Sequence, residues 1–219
     1  MQNINQEGDQ FIMKAISVAS REIETQILER SLAKFGWDYK IIICEWKGFG
    51  TKIIELYKYL KTLEGHTHFV FTDAYDTCVM GSPDEIKIKD FDGIILSAEK
   101  NCWPDVNLIG KYPIVENDWK FVNSGGIMGS IQTFIKIYEA DIPNYDSDDQ
   151  RWWTKQFLKH PNIHLDSDCE IFQSIAFANQ SDFGWQYPNR IYNNITHTFP
   201  IFIHGNAKTD MTQVYERIN

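Results

Sequence analysis

Cysteine is sparse in this chain of 219 residues: there are four, Cys44, Cys78, Cys102 and Cys169. They form no Cys-x-x-Cys pair and no metal-type spacing, which argues against a disulfide scaffold and a zinc site and leaves buried free thiols as the reading. Positive charge is also short, with 21 Lys and Arg against 30 Asp and Glu and a net charge of −9. The basic footprint of a nucleic-acid binder and the polybasic patch of a membrane-surface protein are both missing. No apolar run approaches the ~20 residues of a membrane span. The first ten residues, MQNINQEGDQ, are too polar and acidic for a signal peptide. A cytoplasmic location is therefore expected, and the sequons Asn179-Gln-Ser and Asn194-Ile-Thr read as chance. Internal repeats, low-complexity tracts and linkers are absent. Residues 1–219 are accordingly expected to form one domain, with residues 1–10 as a flexible tail.

What is present is a soluble-protein composition rich in aromatics, at 14% with seven Trp. Core packing accounts for part of that excess, and carbohydrate sites also use exposed aromatic faces. Residues 11–20 read as a strand ending in small side chains. Residues 21–35 have helical spacing, with Ile23, Ile27, Leu28 and Leu32 on one face and Gly36 as the stop. Strands are expected at 39–44, 68–72 and 93–98, with a helix at 51–63 after the loop Gly48-Phe-Gly50. A short helix should open at Pro83. Further helices are expected at 135–140, 148–158 and 168–178, and a last buried strand at 199–203. The β-α-β-α-β order implies a mostly parallel, doubly wound α/β sheet.

The run His68-Phe-Val-Phe-Thr-Asp73-Ala-Tyr-Asp76 carries the most information. A buried strand ends in two carboxylates three residues apart, and ligands of open α/β sheets bind beyond the carboxyl ends of strands. Paired acids there need a cation, and a divalent metal holding a diphosphate supplies one. That points to a nucleotide-dependent transferase. Three other groups accompany it: Asn123-Ser-Gly-Gly126, the acidic Asp146-Ser-Asp148-Asp149, and His204-Gly205-Asn206. Each has a plain structural explanation when taken alone: a turn or cap pair for Asp73 and Asp76, a turn at Asn123, the acidic first turn of a helix at Asp148, and a polar strand end at His204. All four nevertheless lie near predicted strand ends or helix starts, which a parallel sheet gathers on one edge. Two carboxylates and an imidazole suit Mn²⁺ better than Mg²⁺. The backbone N–H groups of the Gly48–Gly50 loop, together with Lys52, could approach the same phosphates. Trp152 and Trp153 are adjacent on a helix, so only one is expected to face the core squarely, leaving the other as a possible acceptor platform.

These residues make the chain resemble the glycosyltransferase domain of the procollagen lysyl hydroxylases. The similarity is an ordered set of short motifs. It runs from Phe71-Thr-Asp-Ala-Tyr-Asp through Gly81-Ser-Pro83, Ser97-Ala-Glu99, Cys102-Trp-Pro-Asp105 and Tyr112-Pro113. It continues through Lys120-Phe-Val-Asn-Ser-Gly-Gly126, Asp148-Asp-Gln150, Leu165-Asp166 and Ile171-Phe-Gln173 to Pro200-Ile-Phe-Ile-His-Gly-Asn206. That resemblance implies a GT-A, Rossmann-like glycosyltransferase fold with helices flanking a mixed, mostly parallel sheet. It implies a UDP-sugar donor and Mn²⁺ held by Asp73, Asp76 and His204. Tyr75 would pack on the nucleotide, Ala19 and Ser20 would line the uridine pocket, and Lys52 would meet phosphate. Gly205, Asn206 and Lys208 would stand on the phosphate side, Trp103 at the mouth of the sugar site, and Asn123 in the same cleft. Asp148 and Asp149 would face the donor sugar and acceptor. Two departures stand out: Ser147 interrupts the family's run of acids, and the chain reads Gly-Asn-Ala-Lys208 where the family has Gly-Asn-Gly-Pro. The hydroxylase portion has no room here, so lysine hydroxylation is not expected.

The expected reaction is Mn²⁺-dependent transfer of glucose from UDP-glucose to galactosyl-hydroxylysine of collagen-like chains, with retention at the anomeric carbon. Whether Asp148 or Asp149 would act as nucleophile or orienting group stays open. The nearest variants are galactosyl transfer from UDP-galactose to hydroxylysine, or transfer from a UDP-sugar to a non-collagen acceptor. A metal-dependent phosphohydrolase and a non-catalytic sugar-binding module are the alternatives from other classes.

Overall fold

The computed structural model describes residues 13–87, 91–186 and 189–218. The expected tail at 1–10 lies outside them. A central sheet is built from β1 (Met13–Ala19), β2 (Tyr39–Ile43), β3 (His68–Thr72), β5 (Ile94–Glu99), β6 (Phe121–Ser130) and β7 (Ile163–Asp166). A second sheet contains β4 (Thr77–Val79), β8 (Phe172–Ser174) and β11 (Phe202–His204), and β9 (Phe183–Gln186) pairs with β10 (Arg190–Asn193) in a ribbon. The helices are α1 (Gln26–Lys34), α2 (Gly50–Leu60), α3 (Ile131–Ala140), α4 (Asp149–Lys159) and α5 (Thr212–Ile218). None is long and apolar enough to cross a membrane.

The central sheet has the order β2-β1-β3-β6-β5-β7. Its pairs are parallel except where β6 runs antiparallel between β3 and β5. This is the α/β, mostly parallel mixed sheet expected. Side-chain alternation along each strand sends residues to two cores. Ile16, Val18, Phe69, Phe71 and Leu96 pack with Leu56, Leu60, Phe134 and Trp153 of α2, α3 and α4. Met13, Ala15, Val70, Ile95 and Met128 pack on the other face with Leu28 and Leu32 of α1, and with Val79, Phe172 and Phe202 of the second sheet.

Local chemistry fixes the boundaries. Ser130 caps α3 by accepting from the Thr133 N–H, and Asp148 caps α4 by accepting from the Arg151 N–H at 2.8 Å. Gly36 ends α1 with φ +74°. Three expectations need correction. The helix at 21–35 is broken: a 3₁₀ turn spans Glu22–Glu24, the Thr25 hydroxyl donates back to the Glu22 carbonyl, and Ile23 is left 74% exposed. Residues 168–178 are not a helix. The Asp166 carboxylate accepts the backbone N–H groups of Glu170, Ile171 and Phe172, Cys169 has φ +52°, and the chain turns into β8. Trp152 and Trp153 are both buried, because the loop at Asp141 covers Trp152 and accepts its indole N–H. Neither is an exposed platform. The four cysteines are free, three of them buried.

Candidate active site

Strand β3 delivers the turn Asp73–Asp76, and the second sheet brings a histidine to it. In β11, His204 pairs antiparallel with Thr77, and the Gly205 N–H donates to the Asp76 carbonyl at 2.8 Å. Asp73, Asp76 and His204 thereby offer three ligand atoms within 4.8 Å of one another. His204 is buried, and its Nε2 makes no hydrogen bond; it lies 3.3 Å from Asp76 Oδ1 and 3.6 Å from Asp73 Oδ2. The ring is oriented from behind. The Asn123 amide is fixed because its nitrogen donates to Glu99 and its oxygen accepts the Gly125 N–H, so the same oxygen can only accept from His204 Nδ1, at 3.1 Å. Nδ1 therefore carries a hydrogen in either charge state, and Nε2, which takes the second proton or a metal, faces the two acids. This is the arrangement of a metal-ligating histidine with its outer partner. Gly125 backs the ring so closely that a Cβ there would lie 2.1 Å from His204 Cε1. Burial opposes protonation of His204, but the Asp76 and Asp73 carboxylates outweigh it and hold the ring above the ordinary histidine value. Burial likewise works against ionised Asp76, yet His204 and Lys52 bring its carboxyl below the usual range.

Lys52 comes from the first turn of α2. It is buried, with Nζ 2.8 Å from Asp73 Oδ1 and 2.6 Å from Asp149 Oδ2. Burial disfavours its charge, but the two carboxylates override that and raise its pKa. Asp149 is buried at the start of α4, while Asp148 spends a carboxylate oxygen on the helix cap. The Gly48–Gly50 loop departs from expectation. The N–H groups of Gly50, Thr51 and Lys52 donate to Tyr145, Gly48 and Phe49 carbonyls, and the two glycines lie against the 144–145 backbone. Those three donors are consumed, while the Lys52 side chain and Phe49 line the cavity.

Asn123–Gly126 also differs from expectation, since it sits inside β6 rather than at a strand end. Leu96 pairs with Ile127 but Ser97 with Asn123, so Ser124–Gly126 bulge out of register. That bulge puts Gly125 behind His204 and Asn123 into the cavity wall. Beside it lies a residue to which the motifs assigned no role: Glu99, buried at the end of β5, accepts from Asn123, Gln150 and Asn206. Burial pushes its carboxyl above the ordinary glutamate value in spite of these donors. In sequence it is one acid closing a strand. Only the remote amides around it mark it.

These groups line one cavity of about 670 Å³, together with the exposed Trp103 and the apolar Val106 and Ile109. Asn206 lines it too, whereas Gly205 is packed under Met211. Lys208 is exposed beside the lining residue Ala207, and both have positive φ. Ala19 is buried at the end of β1, and the Tyr75 hydroxyl accepts from the Ser20 and Arg21 N–H groups at 2.7 and 3.0 Å. Tyr75 and Ser20 thus form a joined pair next to the metal-type triad.

The sequence profile of the PLOD GT domain matches residues 7–215. The chain belongs to the PLOD GT domain family. An uncharacterized protein of Acanthamoeba polyphaga mimivirus is 34% identical over 165 residues, 73% of this chain and 36% of that protein. The multifunctional procollagen lysine hydroxylase and glycosyltransferase LH3 of Homo sapiens is 32% identical over 157 residues, 67% of this chain and 21% of the human protein. The chain therefore spans well under half the length of these relatives. Among solved structures, a glycosyltransferase involved in the glycosylation of the major capsid of PBCV-1 superposes with a TM-score of 0.55 at 9% identity, covering 94% of this chain and 98% of that one. Such a likeness shows the fold, a GT-A glycosyltransferase fold. Membership of the PLOD GT family supports glycosyl transfer rather than phosphate hydrolysis.

Proposed function

We propose that this chain is a single-domain, Mn²⁺-dependent retaining hexosyltransferase that moves glucose from UDP-glucose to galactosyl-hydroxylysine in collagen-like chains. The observation that carries the reading is the convergence of Asp73, Asp76 and His204 beside Lys52, in a cavity also lined by the carboxylates of Glu99, Asp148 and Asp149 and by the exposed aromatics Phe49, Trp103 and Phe177. The orphan His204 Nε2 and its Asn123-fixed tautomer suit a divalent cation, and oxygen-rich ligation with one imidazole suits Mn²⁺. Asp73, Asp76 and His204 would hold that ion, whose chemistry is Lewis-acid stabilisation of a leaving diphosphate.

The chain's own groups do the rest. Lys52 supplies a permanent positive charge against the charge that grows on the β-phosphate. Ala19, Ser20 and Tyr75 form the uridine end, with Gly205, Asn206 and Lys208 on the phosphate side. Asp149 and Asp148 take sugar hydroxyls or the reacting centre. Glu99, held by three amides, adds a carboxylate in the cavity wall that can accept from a hydroxyl. Trp103 covers the mouth. Retention requires either a carboxylate on the far face of the sugar or attack on the face the phosphate leaves, and Asp148, Asp149 and Glu99 are the carboxylates in place.

Substituting Asp76 tests this. Asp76→Asn keeps the shape of the turn, so the fold should survive while UDP binding and hexose transfer to a galactosyl-hydroxylysine peptide fall together. Transfer persisting at the unmodified rate would overturn the reading.

A further inference from the structure

Phe177 stands at the tip of a turn closed by the Ala178 N–H donating to the Ile175 carbonyl at 3.3 Å. Its φ is +60°, it is 66% exposed, and it lines the cavity. Two costs meet in one residue: a left-handed backbone that glycine adopts freely, and a phenyl ring held in water. The turn is firmly anchored. The Ile175 N–H donates to the His204 carbonyl at 3.0 Å, and the Ala176 N–H to Asn206 Oδ1 at 3.2 Å. Asn206 donates onward to Glu99, and on the other side Gln150 donates both to Glu99 and to the Trp103 carbonyl. Phe177 and Trp103 are thus two exposed aromatics at the two ends of one hydrogen-bonded chain centred on a buried carboxylate. Strain gathers at the same place. Of the five non-glycine residues with positive φ among the described residues, Phe177, Ala207 and Lys208 sit on the two loops beside this cavity.

Hexoses have the complementary form. A pyranose carries hydroxyls around its rim and a C–H patch on one face, so carboxylates bind its edge and an aromatic ring covers its face. We propose that Phe177 is a second aromatic wall of the acceptor subsite, stacking on the C–H face of the acceptor hexose, and that it sets the preference for a sugar-capped side chain over a bare hydroxyl. The proposal rests on the transferase reading above and names the acceptor contact within it.

Phe177→Gly is the informative variant, because glycine relieves the backbone and should leave the melting temperature at or above that of the unmodified protein. Two readouts apply: KM and kcat for a galactosyl-hydroxylysine peptide, and saturation-transfer NMR of methyl β-galactoside. The expected result is a KM raised about tenfold with a much smaller change in kcat, and loss of the glycoside signal. Phe177→Tyr should restore both. A KM within twofold of the unmodified value, or an unchanged glycoside signal, would overturn the proposal. If the unmodified protein turns over no UDP-sugar, the transferase reading falls. The glycoside signal then decides alone: its loss in Phe177→Gly upholds the stacking role, and its absence from the unmodified protein, or its persistence in the variant, refutes it.

Discussion

One added methyl group should disable the metal-type centre while leaving the fold standing. In Gly125→Ala the new Cβ would lie 2.1 Å from His204 Cε1, 2.6 Å from Nδ1 and 2.9 Å from Nε2. Ordinary carbon contact begins near 3.4 Å, so the ring must recede by about 1.3 Å. The strand cannot yield in its place. The Gly125 carbonyl accepts from the Asp73 N–H and the Thr72 hydroxyl, and its N–H donates to Asn123. Metal–ligand distances tolerate only about 0.2 Å, so a displacement of that size removes the imidazole from coordination. Mn²⁺ affinity should drop by at least about 100-fold, at a stability cost of about 1–3 kcal/mol from overpacking. Gly110→Ala is the control, because a Cβ there meets nothing within 4 Å. Calorimetric Mn²⁺ titration in the presence of UDP, with circular dichroism to confirm folding, reads both quantities. A folded Gly125→Ala protein that binds Mn²⁺ within threefold of the unmodified chain would refute the reasoning.

Three further outcomes are expected. Lys52→Met leaves Asp73 and Asp149 facing each other unneutralised and should cost about 3 kcal/mol in urea unfolding. Adding Asp149→Asn should recover part of that loss, and additive losses would show that the pair is not coupled. Asp166→Ala strands the N–H groups of Glu170, Ile171 and Phe172, which predicts a loss of about 2–4 kcal/mol by thermal or chemical denaturation. Finally, the raised pKa of His204 makes protons compete with metal above the ordinary histidine range, so Mn²⁺ affinity should climb as pH rises through that raised value. For the metal-free protein the sign is opposite. The imidazolium's contacts with Asp73 and Asp76 stabilise the fold fully below the unfolded value of about 6.5, and that contribution is lost as pH rises through the folded one. A melting temperature that rises over this window without metal would contradict it.

Several elements were legible because their signals are local. The all-apolar β3, Gly36 after α1 and the Asp148 cap each follow from neighbours within a turn or two. Asp73 and Asp76 were legible for the same reason, as acids closing a buried strand. The break in the 21–35 helix is local too, set by the Thr25 hydroxyl bonding back to the Glu22 carbonyl, and the other errors came where distant partners decide. Residues 168–178 have enough helical character to mislead, and the carboxylate of Asp166 and the open edge of β11 turn them into a strand. One of Trp152 and Trp153 was expected to be exposed, because the loop that covers Trp152 belongs to another segment. Glu99 and the Gly125 bulge carried no local mark: one needs three amides from separate elements, and the other exists only because β5 and β6 fall out of register. Bringing His204 to the triad required the pairing of β11 with β4, which motif order implied and spacing alone could not.

The most direct test of the central claim, that this cavity binds a nucleoside diphosphate through a cation held by Asp73, Asp76 and His204, is calorimetric titration of UDP with Mn²⁺ and then with a chelator. One UDP should bind per chain with Mn²⁺, with no measurable heat after chelation. UDP binding that is equally tight with chelator, or absent under both conditions, would contradict it.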